Sequence, residues 1–178
     1  MSIRRIRRDE AGQLRAVRLR ALYDSPDAFG AVHSDEERLP GSVWVDRAVR
    51  SDRGQEEITL VADDGARLVG MVVGRLAADD PSHAGLFGLW VEPACRGSGI
   101  GTSLTEGVVE WARSRKAERL TLWAVESNGA AIRLYNRAGF NETSQRKSLG
   151  RDPSIVVVEM TRHLSQSTAP HDTARSGS

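Results

Sequence analysis

The stretch Arg96-Gly97-Ser98-Gly99-Ile100-Gly101-Thr102 has the residue types and spacing to hold an anion. Glycines let backbone N–H groups approach a ligand closely. A helix start leaves four such groups without partners and carries partial positive charge. Arg96 adds forked, permanently charged donors. Together these residues offer a seat for a phosphate or pyrophosphate. Other phosphate motifs fit poorly. No Lys follows the glycines, as a Walker loop requires, and the third glycine comes too early for a dinucleotide fingerprint. A Gly-rich turn taken alone is also compatible with a tight strand-to-helix connection that binds nothing.

Further residues could carry chemistry. Tyr135 shares a helix stripe with Leu134 and Ala138, so spacing alone reads it as a core tyrosine whose hydroxyl needs a partner. Cys95 stands just before the glycine turn, where a thiol can be activated. It is read as incidental, and a single cysteine excludes an internal disulfide and a cysteine-based zinc site. His33, Glu36 and Glu37 fall in one loop, Asp79, Asp80 and His83 flank another, and Glu92 follows a strand. Each of these is expected at the surface, and no metal site is expected. Trp44, Trp90, Trp111 and Trp123 are expected to pack in the core or a cleft rather than stack on nucleobases.

The elements that must position these residues follow from periodicity. His83 to Val91 is a largely apolar run of strand length. After the turn, Leu104, Val108, Trp111 and Ala112 recur at i, i+4, i+7 and i+8, the spacing of one helix face. Before this unit, Ser2 to Arg7 reads as a strand anchored by Ile3, with its arginines solvated. Asp9 is placed to cap a helix running to about Leu22. Ala28 to Glu37 is a loop or partial helix, and Pro40-Gly41-Ser42 opens a short helix carrying Val43, Trp44 and Val45. Glu57 to Ala62 and Leu68 to Leu76 form a hairpin about Asp63-Asp64-Gly65. After it, Arg119 to Val125 is a strand. Ser127 or Asn128 caps a helix that bears Ala131, Leu134, Tyr135 and Ala138 and ends at Gly139. Asn141 to Ser148 and Ser154 to Met160 are the last strands.

Composition narrows the class. The chain has 178 residues, 39% hydrophobic and 28% charged, which suits one globular domain. Residues 1–164 are read as that domain. Residues 165–178, rich in Ser, Thr and other polar types, are read as a disordered tail. No apolar run reaches membrane-spanning length, and the N-terminus has no apolar signal core, so a cytoplasmic location is expected. Net charge is +1, and no basic stripe with exposed aromatics is seen, so a nucleic-acid partner is not expected. Only Lys116 and Lys147 among the 25 basic residues are lysines.

Two blocks then carry a resemblance. Leu89-Trp90-Val91-Glu92-Pro93-Ala94-Cys95-Arg96-Gly97-Ser98-Gly99-Ile100-Gly101 resembles the cofactor motif of the GCN5-related N-acetyltransferases, the GNAT superfamily. Asn128 to Phe140 resembles that family's second signature, N-x-x-A-x-x-L-Y-x-x-x-G-F, at the matching distance. The resemblance implies an α/β (α+β) fold. Its mixed, strongly bent central sheet has six to seven strands, helices on both faces and splayed fourth and fifth strands. It further implies acetyl-CoA as cosubstrate. Leu89, Trp90 and Val91 then pair with the pantetheine arm, and Arg96, Gly97, Ser98, Gly99, Ile100, Gly101 and Thr102 hold the pyrophosphate. Asn128 and Ala131 contact the cofactor, and Tyr135 corresponds to the residue usually assigned as general acid. Dimers are common in the family, so a homodimer is a further expectation.

The implied reaction is attack of an amine on a thioester. Alkyl amines resemble Lys, with a pKa near ~10.4, so a base or water must take a proton. Many family members carry an acid within the strand that here reads Leu86-Phe87-Gly88-Leu89-Trp90, which offers none. Glu92, Glu36, Glu37, His33 or a water remain as bases. Full proton transfer from a tyrosine to a thiolate is uphill by roughly 2 kcal/mol, so Tyr135 is expected to stabilise the thiolate by hydrogen bonding. A small-molecule primary amine is the expected acceptor, with a protein N-terminus or lysine as the alternative. A non-catalytic acyl-CoA sensor is the alternative outside the enzymes.

Overall fold

The computed structural model describes residues 1–164, and the expected tail at 165–178 lies outside the described residues. The strands are β1 (Ser2–Arg5), β2 (Glu57–Asp63), β3 (Leu68–Leu76), β4 (His83–Val91), β5 (Arg119–Val125), β6 (Asn141–Leu149) and β7 (Asp152–His163). The helices are α1 (Ala11–Asp24), α2 (His33–Glu37), α3 (Gly41–Arg53), α4 (Ile100–Ser114) and α5 (Gly129–Arg137). One seven-stranded sheet runs in the order β1-β2-β3-β4-β5-β7-β6. Every neighbouring pair is antiparallel except β4 and β5, which are parallel.

Alternation along β2 shows how the layers form. Ile58, Leu60 and Ala62 join the core beneath α4, with Leu104, Val108 and Trp111. Val61 points the other way, into a second core with Trp44 and Ala48 of α3 and Val17 and Ala21 of α1. Helices cover both faces, so β2 is buried on each side and reads as an apolar run.

Two features open the sheet. The β4–β5 ladder pairs only His83 with Arg119, Ala84 with Leu120 and Gly85 with Thr121. Beyond these residues the two strands separate, while β5 stays paired to β7 as far as Val125. On the other side of β4, Gly88 and Leu89 together stand opposite Val72, between the Val73–Phe87 and Met71–Trp90 pairs. This is a β-bulge, and Gly88 supplies its left-handed backbone at φ +62°. The expected splay of the fourth and fifth strands is present.

The N-terminal segment departs from expectation. β1 ends at Arg5, and the fully buried residue is Ile6, whereas Ile3 is half-buried. Asp9 does not cap α1. Glu10 occupies that position, buried, and its carboxylate accepts from both terminal nitrogens of Arg4 (2.8 and 2.7 Å) and from the Arg7 N–H (2.8 Å). Arg4 also reaches Asp63 at 2.8 Å, so it is an internal tie rather than a solvated side chain. A charge taken out of water needs such partners, and that requirement outweighs cap preference here. β6 and β7 both run longer than their apolar residues suggest, because hairpin pairing satisfies backbone groups whatever the side chains.

Gly74 of β3 lets α4 approach the sheet. A Cβ there would lie 2.8 Å from Val108 and 2.9 Å from the Trp111 ring, which is fixed by its own bond to the Gly54 carbonyl at 2.9 Å. Gly74→Ala is expected to destabilise the protein by about 1–3 kcal/mol, the usual range for overpacking, and denaturant titration checks this.

Candidate active site

β4 leads through a short 3₁₀ turn (Pro93–Cys95) into the glycine loop, and α4 begins at Ile100. Gly97 and Gly99 take positive φ, +80° and +86°. No side chain caps α4. Among the described residues, the backbone N–H groups from Gly97 to Thr102 have no partner in the protein. A Cβ at Gly97 or Gly99 would meet nothing within 4 Å, so the loop borders open space at these two residues. A row of free N–H groups at a helix start, with room beside it, fits a pyrophosphate.

Arg96 has other contacts. Its guanidinium binds Asp24 at 2.5 Å and the Val91 carbonyl at 2.9 Å. Asp24 also accepts from Ser25 Oγ (2.7 Å) and from the indole N–H of Trp90 (2.9 Å). Burial pushes the Asp24 carboxyl up, but the bonds from Ser25, Trp90 and Arg96 outweigh this and hold it below its ordinary value. Arg96 therefore braces the loop against the end of α1, and the unpartnered donors of the loop are backbone N–H groups.

The splay between β4 and β5 opens into a cavity of about 600 Å³. Leu89 from β4 lines it, with Asn128 and Ala131 from the start of α5 and Tyr135 from its last turn. The Asn128 side chain caps α5 by accepting from the Ala131 N–H at 3.1 Å, which fixes the helix against the gap. Tyr135 is buried, with its ring edge-on to Phe140 at 5.9 Å. Burial alone pushes its hydroxyl well above the ordinary tyrosine value, so it remains a proton-bearing donor.

Not every expected residue meets here. Trp90 and Glu92 line a separate hollow with His33, and Arg96 to Thr102 stand outside the large cavity. Glu92 Oε1 is tied to Arg67 at 2.5 Å. His83 lies at the paired end of β4, bonded to Thr121 at 3.0 Å, and its pKa is lowered by burial and by Arg119. Cys95 is half-buried, and its carbonyl accepts from Ser98 Oγ at 2.6 Å.

Glu36, expected at the surface, is instead buried and lines the cavity between Arg18 (3.2 Å) and Arg47 (3.1 Å). Burial raises its pKa, but the two arginines outweigh this and lower it overall, so it is a poor proton acceptor. Arg18, Arg47, Arg75, Trp123 and Lys147 also line the cavity. Periodicity gives no sign of these five, because five elements far apart in the chain supply them.

This geometry is a splayed sheet with a row of unpartnered backbone donors beside it. The family is set by comparison. The profile of the acetyltransferase (GNAT) family matches residues 18–140, and the chain belongs to that family. The [ribosomal protein bS18]-alanine N-acetyltransferase of Escherichia coli K12 is 26% identical over 133 residues, covering 72% of this chain and 88% of that protein. The mycothiol acetyltransferase of Beutenbergia cavernae is 27% identical over 137 residues, covering 76% of this chain and 42% of that protein. The structure of yncA from Salmonella typhimurium with its cofactor acetyl-CoA superposes with a TM-score of 0.75 at 18% identity, covering 97% of this chain and 98% of that one.

Two outcomes follow. Gly99→Glu sets a carboxylate against the anion seat at a strained backbone position and is expected to weaken acetyl-CoA binding at least ~10-fold, read by calorimetry. The second concerns Glu36. Because its folded pKa is lowered, its contribution to stability is full above the ordinary value of 4.5 and fades as pH falls through the lower folded value. Glu36→Gln is therefore less stable than the wild type at pH 7, and the gap between their melting temperatures narrows below pH 4.5.

Proposed function

We propose that this protein transfers the acetyl group of acetyl-CoA directly to the primary amine of a small molecule. The observation that carries the reading is the row of unpartnered N–H groups from Gly97 to Thr102 at the start of α4, with Tyr135 buried in the wall of the cavity at the β4–β5 gap.

Residues 97–102 would hold the pyrophosphate, and the backbone at Leu89, displaced by the bulge, would face the pantetheine arm. Acetyl-CoA supplies the acyl thioester. Tyr135 donates its proton in a hydrogen bond to the sulfur as negative charge develops there, and its raised pKa keeps that proton in place. The incoming amine gives up its proton to water, since Glu36 is held by two arginines, Glu57 is paired with Arg75, and Glu92, His33 and Glu37 do not line the cavity.

A latch beside the cavity supports the small acceptor. Arg151, in the β6–β7 turn, donates to the carbonyls of Phe29 (3.0 Å) and Pro26 and lies 3.3 Å from Asp27. This latch joins the hairpin tip to the segment after α1, and Phe29, Gly30, Leu149 and Gly150 beside it line the cavity. A protein N-terminus is the second reading. It is favoured by the similarity to the bS18-alanine enzyme and would require a chain to pass the latch.

Tyr135→Phe is expected to lower kcat by ~100-fold, the lower end of the range for an acid–base group, with the acetyl-CoA Kd changed less than about two-fold. Wild-type activity is expected to show no loss from tyrosine ionisation up to pH 10. Unchanged kcat in the variant would remove Tyr135 from the mechanism.

A further inference from the structure

The cavity wall has an unusual charge pattern. Four cations line it, Arg18, Arg47, Arg75 and Lys147, against two carboxylates, Glu36 and Glu57, which leaves a formal excess of two positive charges. Each cation rests on an aromatic ring that also lines the cavity. Arg18 lies over Phe29 at 4.9 Å, and Arg47 over Trp44 at 4.6 Å. Arg75 lies over Phe87 at 5.7 Å, and Lys147 over Trp123 at 3.8 Å. A ring beneath a cation restrains it and leaves its donors free at the edge.

The excess has a definite location. Glu57 binds Arg75 at 2.6 Å and neutralises it. Glu36 is shared by two arginines, so that cluster keeps one positive charge. Lys147 has no carboxylate within 4.0 Å among the described residues. These cations are not part of the pyrophosphate seat, because no residue of the 96–102 loop lines this cavity.

We infer that the acceptor is an amine that also carries an anionic group, a carboxylate or a phosphate, and that Lys147 with the Arg18–Glu36–Arg47 cluster receives it. The inference rests on the acetyl-transfer reading and specifies its substrate. An amine arrives as an ammonium, and a cavity with excess positive charge repels it unless the same molecule brings a compensating anion. A polyamine is repelled most. The anion also serves orientation: held by Lys147, it leaves the amine end to face the β4–β5 gap.

The test is acetylation of matched amines by the full-length protein, read as product by mass spectrometry. The pairs are L-glutamate with L-glutaminamide, glycine with glycinamide, and O-phosphoethanolamine with ethanolamine, with spermidine alongside. The expected result is a kcat/KM at least ~10-fold higher for the acidic member of a pair, and the pair that shows it tells carboxylate from phosphate. Spermidine falls below both. Lys147→Gln is expected to shrink that ratio about ten-fold, and as an exposed strand residue it can be replaced without loss of the fold. A preference for neutral amines or spermidine, or a ratio unmoved by Lys147→Gln, overturns the inference and leaves acetyl transfer standing. Bound acetyl-CoA with none of the probes acetylated also overturns it. Failure to bind acetyl-CoA overturns the acetyl-transfer reading itself.

Discussion

The ladder between β4 and β5 ends after three residue pairs, and the rest of the molecule depends on that ending. Parallel strands that stayed paired would leave no gap and no cavity. The bulge at Gly88 and Leu89 turns β4 away from β5, while β7 holds β5 on its other side. The backbone groups freed along the gap would be costly if buried without partners. They are tolerable where water or a ligand can supply partners.

Around that gap the protein fixes its parts by different means. The glycine loop depends on backbone geometry, since Gly97 and Gly99 sit at positive φ, and on the Asp24–Arg96–Trp90 knot that joins α1, β4 and the loop. Helix α5 is fixed by the Asn128 cap and by the packing of Tyr135 on Phe140. The charged wall of the cavity depends on ion pairs and aromatic plates contributed by α1 and the segment after it, α2, α3 and β2 to β6. In a chain with 23 arginines, pairing each buried guanidinium is a condition of folding. Glu10 and Glu36 meet that condition, at the first strand and at the cavity respectively. The same pairing makes Glu36 a weak base and leaves the cavity positive.

Much of the fold was legible because its signals are local. A helix face repeats every three or four residues and a strand face every two, so β2 to β5 and α4 could be read from their own residues. The two family blocks are contiguous as well, and both fall where the gap opens. The misreadings at Asp9, Ile3 and Glu36 share one cause. Each concerns whether a polar or marginal residue is buried, and burial is decided by elements distant in the chain. Arg4 meets Asp63 across 59 positions, and Arg18 meets Glu36 across 18.

By itself the sequence determined the order of elements, the glycine loop at the start of α4, the cap and tyrosine of α5, and membership of the acetyltransferase family, because each is written in neighbouring residues. Only the tertiary structure decided where the β4–β5 ladder stops, that Arg96 braces the loop, that Arg151 ties the β6–β7 turn to the segment after α1, and that four cations and two acids share the cavity wall. The physical reason is range. Backbone preferences and side-chain periodicity act over a few residues, whereas the charge and shape of a cavity are sums over every element that folds around it.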